Sequence, residues 1–138
     1  MTGGILACMG RRISIEVPGF AHDAPIPAAC QVGSFLTTSV VSGKELFTGS
    51  MPEGIEAQCE RMFATVRLIL EAAGATPDDV VKMTVWMKDR TQRPALNKGW
   101  LEMFPDPHSR PARHTFEAPD LPGSMLVQCE ITAIIPEK

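Results

Sequence analysis

Polar and apolar residues alternate from Arg12 to Val17, with Ile13, Ile15 and Val17 on one side and Ser14 and Glu16 on the other. A period of two predicts a half-buried strand, and Pro18-Gly19 ends it. Residues 22–29 (HDAPIPAA) hold two prolines and predict an extended loop. Cys30-Gln31-Val32 and Phe35-Leu36-Thr37-Thr38 flank Gly33-Ser34 and predict a hairpin. Gly33 supplies the positive φ of a two-residue II′ turn.

The pattern then changes period. Ile55, Cys59, Met62, Phe63, Val66, Ile69, Leu70 and Ala73 fall on one helical stripe, and Glu56, Glu60, Arg61, Arg67 and Glu71 lie off it. This predicts a helix over about 52–73, opened by a capping box at Ser50-Met51-Pro52-Glu53 and closed by Gly74. Thr76-Pro77-Asp78-Asp79 predicts a turn or a single helical turn. Val80 to Lys88 is a strand, with Val81, Met83, Val85 and Met87 on one face and Lys82, Thr84, Trp86 and Lys88 on the other. A second helix is predicted over about 91–104 on the stripe Leu96, Trp100, Met103 and Phe104, weakened at Gly99 by about 1 kcal/mol relative to Ala. A Pro-rich loop (105–112), a strand near 114–118 and a strand over about 124–134 complete the chain. In the last, Val127, Cys129, Ile131 and Ala133 oppose Gln128, Glu130 and Thr132.

The element order is β, ββ, α, β, α, ββ. Two helices with one-sided stripes cover one face of a sheet. The other face is either solvated or buried against another subunit, and the pattern does not choose.

Length and composition narrow the class. The 138 residues suit one domain, taken as residues 12–138 after a mobile leader at 1–11, and 44% apolar content sustains a core. A net charge of −3 lacks the basic footprint of a nucleic-acid binder or of a peripheral membrane protein. No apolar run approaches a membrane span. The four cysteines (Cys8, Cys30, Cys59, Cys129) form no CxxC pair, which argues against a zinc ribbon or a redox dithiol and for reduced thiols in the cytoplasm. His22 and His108 have no ligand spacing between them, and no metal site is predicted.

Leu70-Glu71-Ala72-Ala73-Gly74, Asp79-Val80-Val81-Lys82-Met83-Thr84-Val85, Asn97, Pro111-Ala112-Arg113 and Leu121-Pro122 together resemble the Rid family of reactive intermediate deaminases, also called YjgF-like proteins. The resemblance covers about residues 24–135. It implies a chorismate-mutase-like α+β fold, with a mixed sheet of about six strands, two helices on one face, and a homotrimer built through the sheet with clefts between subunits. It also implies hydrolysis of small imine or enamine carboxylates to a keto acid and ammonia, without metal or cofactor.

The resemblance assigns Arg113 to the substrate carboxylate. Guanidinium offers a planar fork of donors and stays charged at any working pH. Gln128 stands where the family usually has a glutamate that handles the hydrolytic water; an amide can hold water but cannot carry its proton. Glu130 matches an acid of the family and reads as structural. Ile26 replaces a cleft tyrosine, Ser39 matches a cleft serine, and Asn97 matches a helix asparagine. His114 replaces a small residue. It reads either as a ligand contact or acid/base near neutral pH, or as a solvated histidine. The main chain of His114 and Thr115 is implied in ligand binding. Trp86 and Trp100 read as packing or interface residues, and Cys129, on the opposite side from Gln128, as an inert thiol. A small-carboxylate binding protein with little turnover is the competing expectation, raised by Gln128. A third, a ribonuclease or translation inhibitor, is opposed by the charge and by 6% aromatic content.

Overall fold

A computed structural model describes residues 11–20 and 24–136. The predicted leader, except Arg11, lies outside the described residues, as does His22. The strands are β1 (Arg12–Ile15), β2 (Ala29–Val32), β3 (Phe35–Thr38), β4 (Val41–Ser42), β5 (Val80–Met87), β6 (Ala112–Glu117) and β7 (Val127–Ile134); the helices are α1 (Ile55–Ala72) and α2 (Arg93–Met103). All seven strands form one mixed sheet in the order β1-β2-β3-β7-β5-β6, with β4 pairing the start of β7. β5 and β6 are parallel and joined through α2; every other pair is antiparallel.

The helices lie on one face, as their stripes require. Met62, Phe63, Val66, Ile69 and Leu70 of α1 and Leu96 of α2 are buried with Leu36, Val41, Met83, Val85, Met87, Val127, Cys129, Ile131 and Ala133 of the sheet. The opposite face carries Lys82, Thr84, Trp86, Gln128, Glu130 and Thr132, all half-buried. That face is mixed, with Phe116 and the cross-strand pair Phe35–Ile134 exposed among the polar residues.

The differences from the sequence pattern have local causes. The seventh strand, β4, has only two residues, too few to show a period. α1 starts at Ile55 behind Gly54, whose φ of 93° breaks the helix, and has no side-chain cap. Ser50 instead bonds to Thr48, so the predicted capping box does not form. A capping box does form at Thr76 and Asp79, around the 3₁₀ turn Pro77–Asp79. Val81 leaves its predicted face because a register shift between Val80 and Lys82 turns it outward. Ile13, on the outermost strand, is exposed as well. Gly33 has φ 60° and no residue other than glycine has positive φ among the described residues, so the hairpin turn fits II′ and excludes I′.

Candidate functional site

Arg113 lies within a strand rather than in the Pro-rich loop. β6 begins at Ala112, two residues before the predicted start, and Arg113 pairs with Met83. Neighbours across a parallel ladder share a face. Arg113 and Thr115 therefore point with buried Met83 and Val85 to the helix side, and His114 and Phe116 point with Thr84 and Trp86 to the open side. β6 ends the sheet, so half of its backbone groups have no strand partner.

On the helix side, the Arg113 guanidinium carbon lies 4.9 Å from the centre of the Trp100 ring, a cation–π contact. Trp100 is fixed in turn by an edge contact to Phe104, with centroids 4.8 Å apart. Asn97 precedes Trp100 by three residues and Arg93 precedes Asn97 by four, so all three share one face of α2. Burial, and then the charge of Arg93, press the Arg113 pKa downward. No carboxylate pairs with Arg113 among the described residues. Its Nη1 and the Thr115 Oγ1 are both buried without a hydrogen-bond partner. Buried donors left unpaired are costly, and these two lie two residues apart on one face of β6.

Gln128 lies elsewhere. It pairs with Trp86 and with Ser42 of β4 and faces the open side, while Cys129 behind it is fully buried. From Arg113 it is two strands across and three residues along the ladder, about 14 Å at usual strand spacings, and on the opposite face. His114 is exposed on that open face, its ring 4.9 Å from Phe116, which stacks on Trp86 at 6.4 Å. Ser39 donates to the Pro27 carbonyl at 2.8 Å and so holds the Pro25-Ile26-Pro27 segment, where Ile26 is exposed. Thus Arg113 and Thr115 share the helix side, with Asn97 exposed on α2 one turn before Trp100; Gln128 and His114 share the other face; Ser39 and Ile26 form a third group.

Two relevant residues are missed by pattern reading. Arg93 opens α2 and carries no motif. Gln58 is a polar residue inside the apolar stripe of α1, a spacing that offers a signal. It is buried; its Nε2 donates to the Pro52 and Ser124 carbonyls at 2.9 and 2.8 Å, and its Oε1 accepts from the Leu126 N–H at 2.8 Å. It thereby fixes the segment that leads into β7 and Gln128. No group of three metal-ligating side chains forms among the described residues, and no helix is long and apolar enough to cross a membrane.

A mixed sheet with two helices on one face, and on its edge strand an arginine with no ion pair among the described residues, defines a small α+β protein. The profile of the endoribonuclease L-PSP family matches residues 21–135, and the chain belongs to that family, to which the Rid and YjgF-like proteins also belong. A RutC family protein of Aquifex aeolicus is 34% identical over 116 residues, covering 80% of this chain and 93% of the relative. A 2-iminobutanoate/2-iminopropanoate deaminase of Dermatophagoides farinae is 31% identical over 112 residues, covering 80% and 86%. The crystal structure of RidA from an Antarctic Psychrobacter superposes with a TM-score of 0.81 at 29% identity, covering 89% of this chain and 99% of that one.

Proposed function

We propose that this chain hydrolyses the imines of small 2-oxo acids, such as 2-iminopropanoate, at clefts between the subunits of a homotrimer. The observation that carries the reading is the pair of buried, unpartnered donors Arg113 Nη1 and Thr115 Oγ1 on an edge strand. A carboxylate satisfies the guanidinium fork, and the unpaired edge of β6 leaves one main-chain N–H of the His114-Thr115 pair for the same ligand. Asn97, one turn before Trp100 on α2, is assigned to the same ligand. The named activity of the relatives supports this substrate class.

In the reaction, water adds to the imine carbon and one of its protons passes to nitrogen; the hydroxyl of the resulting carbinolamine then gives its proton to the same nitrogen as the C–N bond breaks, leaving a keto acid and ammonia. The imine nitrogen is itself the base, so the water needs to be held rather than deprotonated. An amide does this, and Gln128 is assigned that role. Because Gln128 and Arg113 are on opposite faces of one chain, the cleft takes Arg113 from one copy and Gln128 from its neighbour, with Ser39 and Ile26 on the Gln128 side. The mixed open face, with Trp86 and Phe116, is the surface for trimer packing. The single domain is taken as residues 12–138 and the compartment as the cytoplasm, which agrees with free thiols at Cys30, Cys59 and Cys129.

The test is the decay of 2-iminopropanoate, formed in situ and trapped with semicarbazide. The wild type is expected to speed the loss of imine over buffer, and Arg113→Ala to abolish the gain. No acceleration, with 2-oxobutanoate still bound, would leave a binding protein; full activity in Arg113→Ala would dismiss the site.

A further inference from the structure

A cavity of about 170 Å³ lies beside Gln128, at the β4–β7 pair. Phe20, Val40, Val41, Leu46 and Met125 give it an apolar lining. Its polar residues are few. Gln128 and Lys44 border it, and the Ser42 hydroxyl accepts from the Lys44 N–H at 3.2 Å. Thr65 borders it as well, but its hydroxyl oxygen is fully enclosed and offers an occupant no polar surface. The walls are tied down. Gln58 holds the residues on both sides of Met125, donating to the Ser124 carbonyl and accepting from the Leu126 N–H, each at 2.8 Å. The Met125 N–H donates to the Pro122 carbonyl at 3.1 Å. Gly19, next to Phe20, lies so close to Leu46 that a Cβ there would sit 2.8 Å from the Leu46 carbonyl oxygen. Ser42 pairs with Gln128 across the ladder. The cavity is therefore formed before a ligand arrives, and filling it needs little ordering of the chain.

A 2-imino acid carries its side chain on C2, the carbon that water attacks. The water is assigned to Gln128, so the side chain starts beside that residue, and the cavity at Gln128 is within its reach. A water's share of liquid volume is about 30 Å³, so the cavity takes roughly five groups of that size. The methyl group of 2-iminopropanoate leaves most of it unfilled. Resting on the hydrolase reading above, we infer that this cavity is the side-chain subsite, and that the preferred substrate is a 2-imino acid with an aliphatic side chain of about four carbons, such as 2-imino-4-methylpentanoate. Filling the cavity removes its apolar lining from water, which is the driving force for the preference. Val40, about half exposed, and Leu46 are then specificity residues. The chemistry at C2 is unchanged, and ammonia and a branched 2-oxo acid leave. The reaction that supplies such a substrate is the oxidation of an aliphatic amino acid to its imine.

The test compares kcat/KM for 2-imino-4-methylpentanoate and 2-iminopropanoate, each formed in situ and trapped with semicarbazide. Beside it, calorimetry compares the affinities for 2-oxo-4-methylpentanoate and 2-oxopropanoate. The wild type is expected to favour the larger member of each pair by about tenfold or more. Val40→Phe, which narrows the cavity, is expected to lower both ratios by about tenfold, and Leu46→Ala, which removes part of a wall, by about threefold. No preference in the wild type, or ratios that both variants leave unchanged, overturns the inference, while activity on 2-iminopropanoate leaves the hydrolase reading standing. Tighter binding of 2-oxopentanedioate than of 2-oxo-4-methylpentanoate also overturns it, because the Lys44 charge would then select the ligand. The expected affinity ratios without hydrolysis support the subsite and dismiss the hydrolase reading alone. Absence of both binding and hydrolysis overturns the two readings together.

Discussion

Cys59 and Cys129 lie back to back with the chemistry, buried between α1 and β7. Burial, helped by the Glu56 charge, pushes the Cys59 thiol from 9.0 up to about 12, and burial pushes Cys129 higher still. The fold thus favours the neutral thiol. That contribution is fully present below about pH 9 and is lost as pH rises toward 12. Thiolate is the reactive form, so iodoacetamide at pH 8 leaves both residues unmodified in the native protein and labels both in denaturant. Peptide mass mapping reads this, and rapid native labelling of Cys129 would refute the burial. Arg113 is the other single residue on which much depends. Lysine keeps the charge but loses the fork and the flat stack on Trp100, so Arg113→Lys is expected to retain less than about a tenth of wild-type kcat/KM. Near-complete retention would mean that charge alone, without the fork, serves the ligand.

At the scale of elements, α1 and α2 meet at Gly99. A Cβ there would overlap the Phe63 ring, which is buried in the core. Propensity favours alanine by about 1 kcal/mol, and overpacking opposes it by about 1–3 kcal/mol. Gly99→Ala is therefore expected to be neutral to destabilising by about 2 kcal/mol in urea unfolding, where a gain in stability would show the contact to be loose. Gln58→Ala removes three hydrogen bonds that tie α1 to the segment entering β7. A loss of about 2–4 kcal/mol is expected, since buried backbone groups are stranded; a loss below about 0.5 kcal/mol would contradict that role. The helices and long strands were legible because their apolar stripes are long enough to show a period, as in the run from Ile55 to Leu70. β4 was not legible, being two residues pairing across distant sequence. The start of β6 was displaced because Pro111 masks the strand that begins right after it, and Val81 was misassigned because a register shift leaves no mark in an alternating pattern.

At the scale of the molecule, the sheet divides the candidate residues. Arg113, Gln128, Asn97, Ser39 and Ile26 were all singled out from the sequence, yet their grouping depends on which side of the sheet each faces. That is set by the parallel register of β5 and β6 and the antiparallel register of β5 and β7. Arg93 carries no motif, and only the fold brings its charge to act on Arg113. The proposed cleft is assembled from two copies. The most direct measurement mixes subunits of two inactive variants, Arg113→Ala and Gln128→Arg, after reversible dissociation, and follows 2-iminopropanoate hydrolysis. Random reassembly gives each cleft an intact arginine half with probability one half and an intact glutamine half with probability one half, so about a quarter of wild-type activity should return. No recovery in a preparation whose mass shows mixed trimers would contradict the shared cleft.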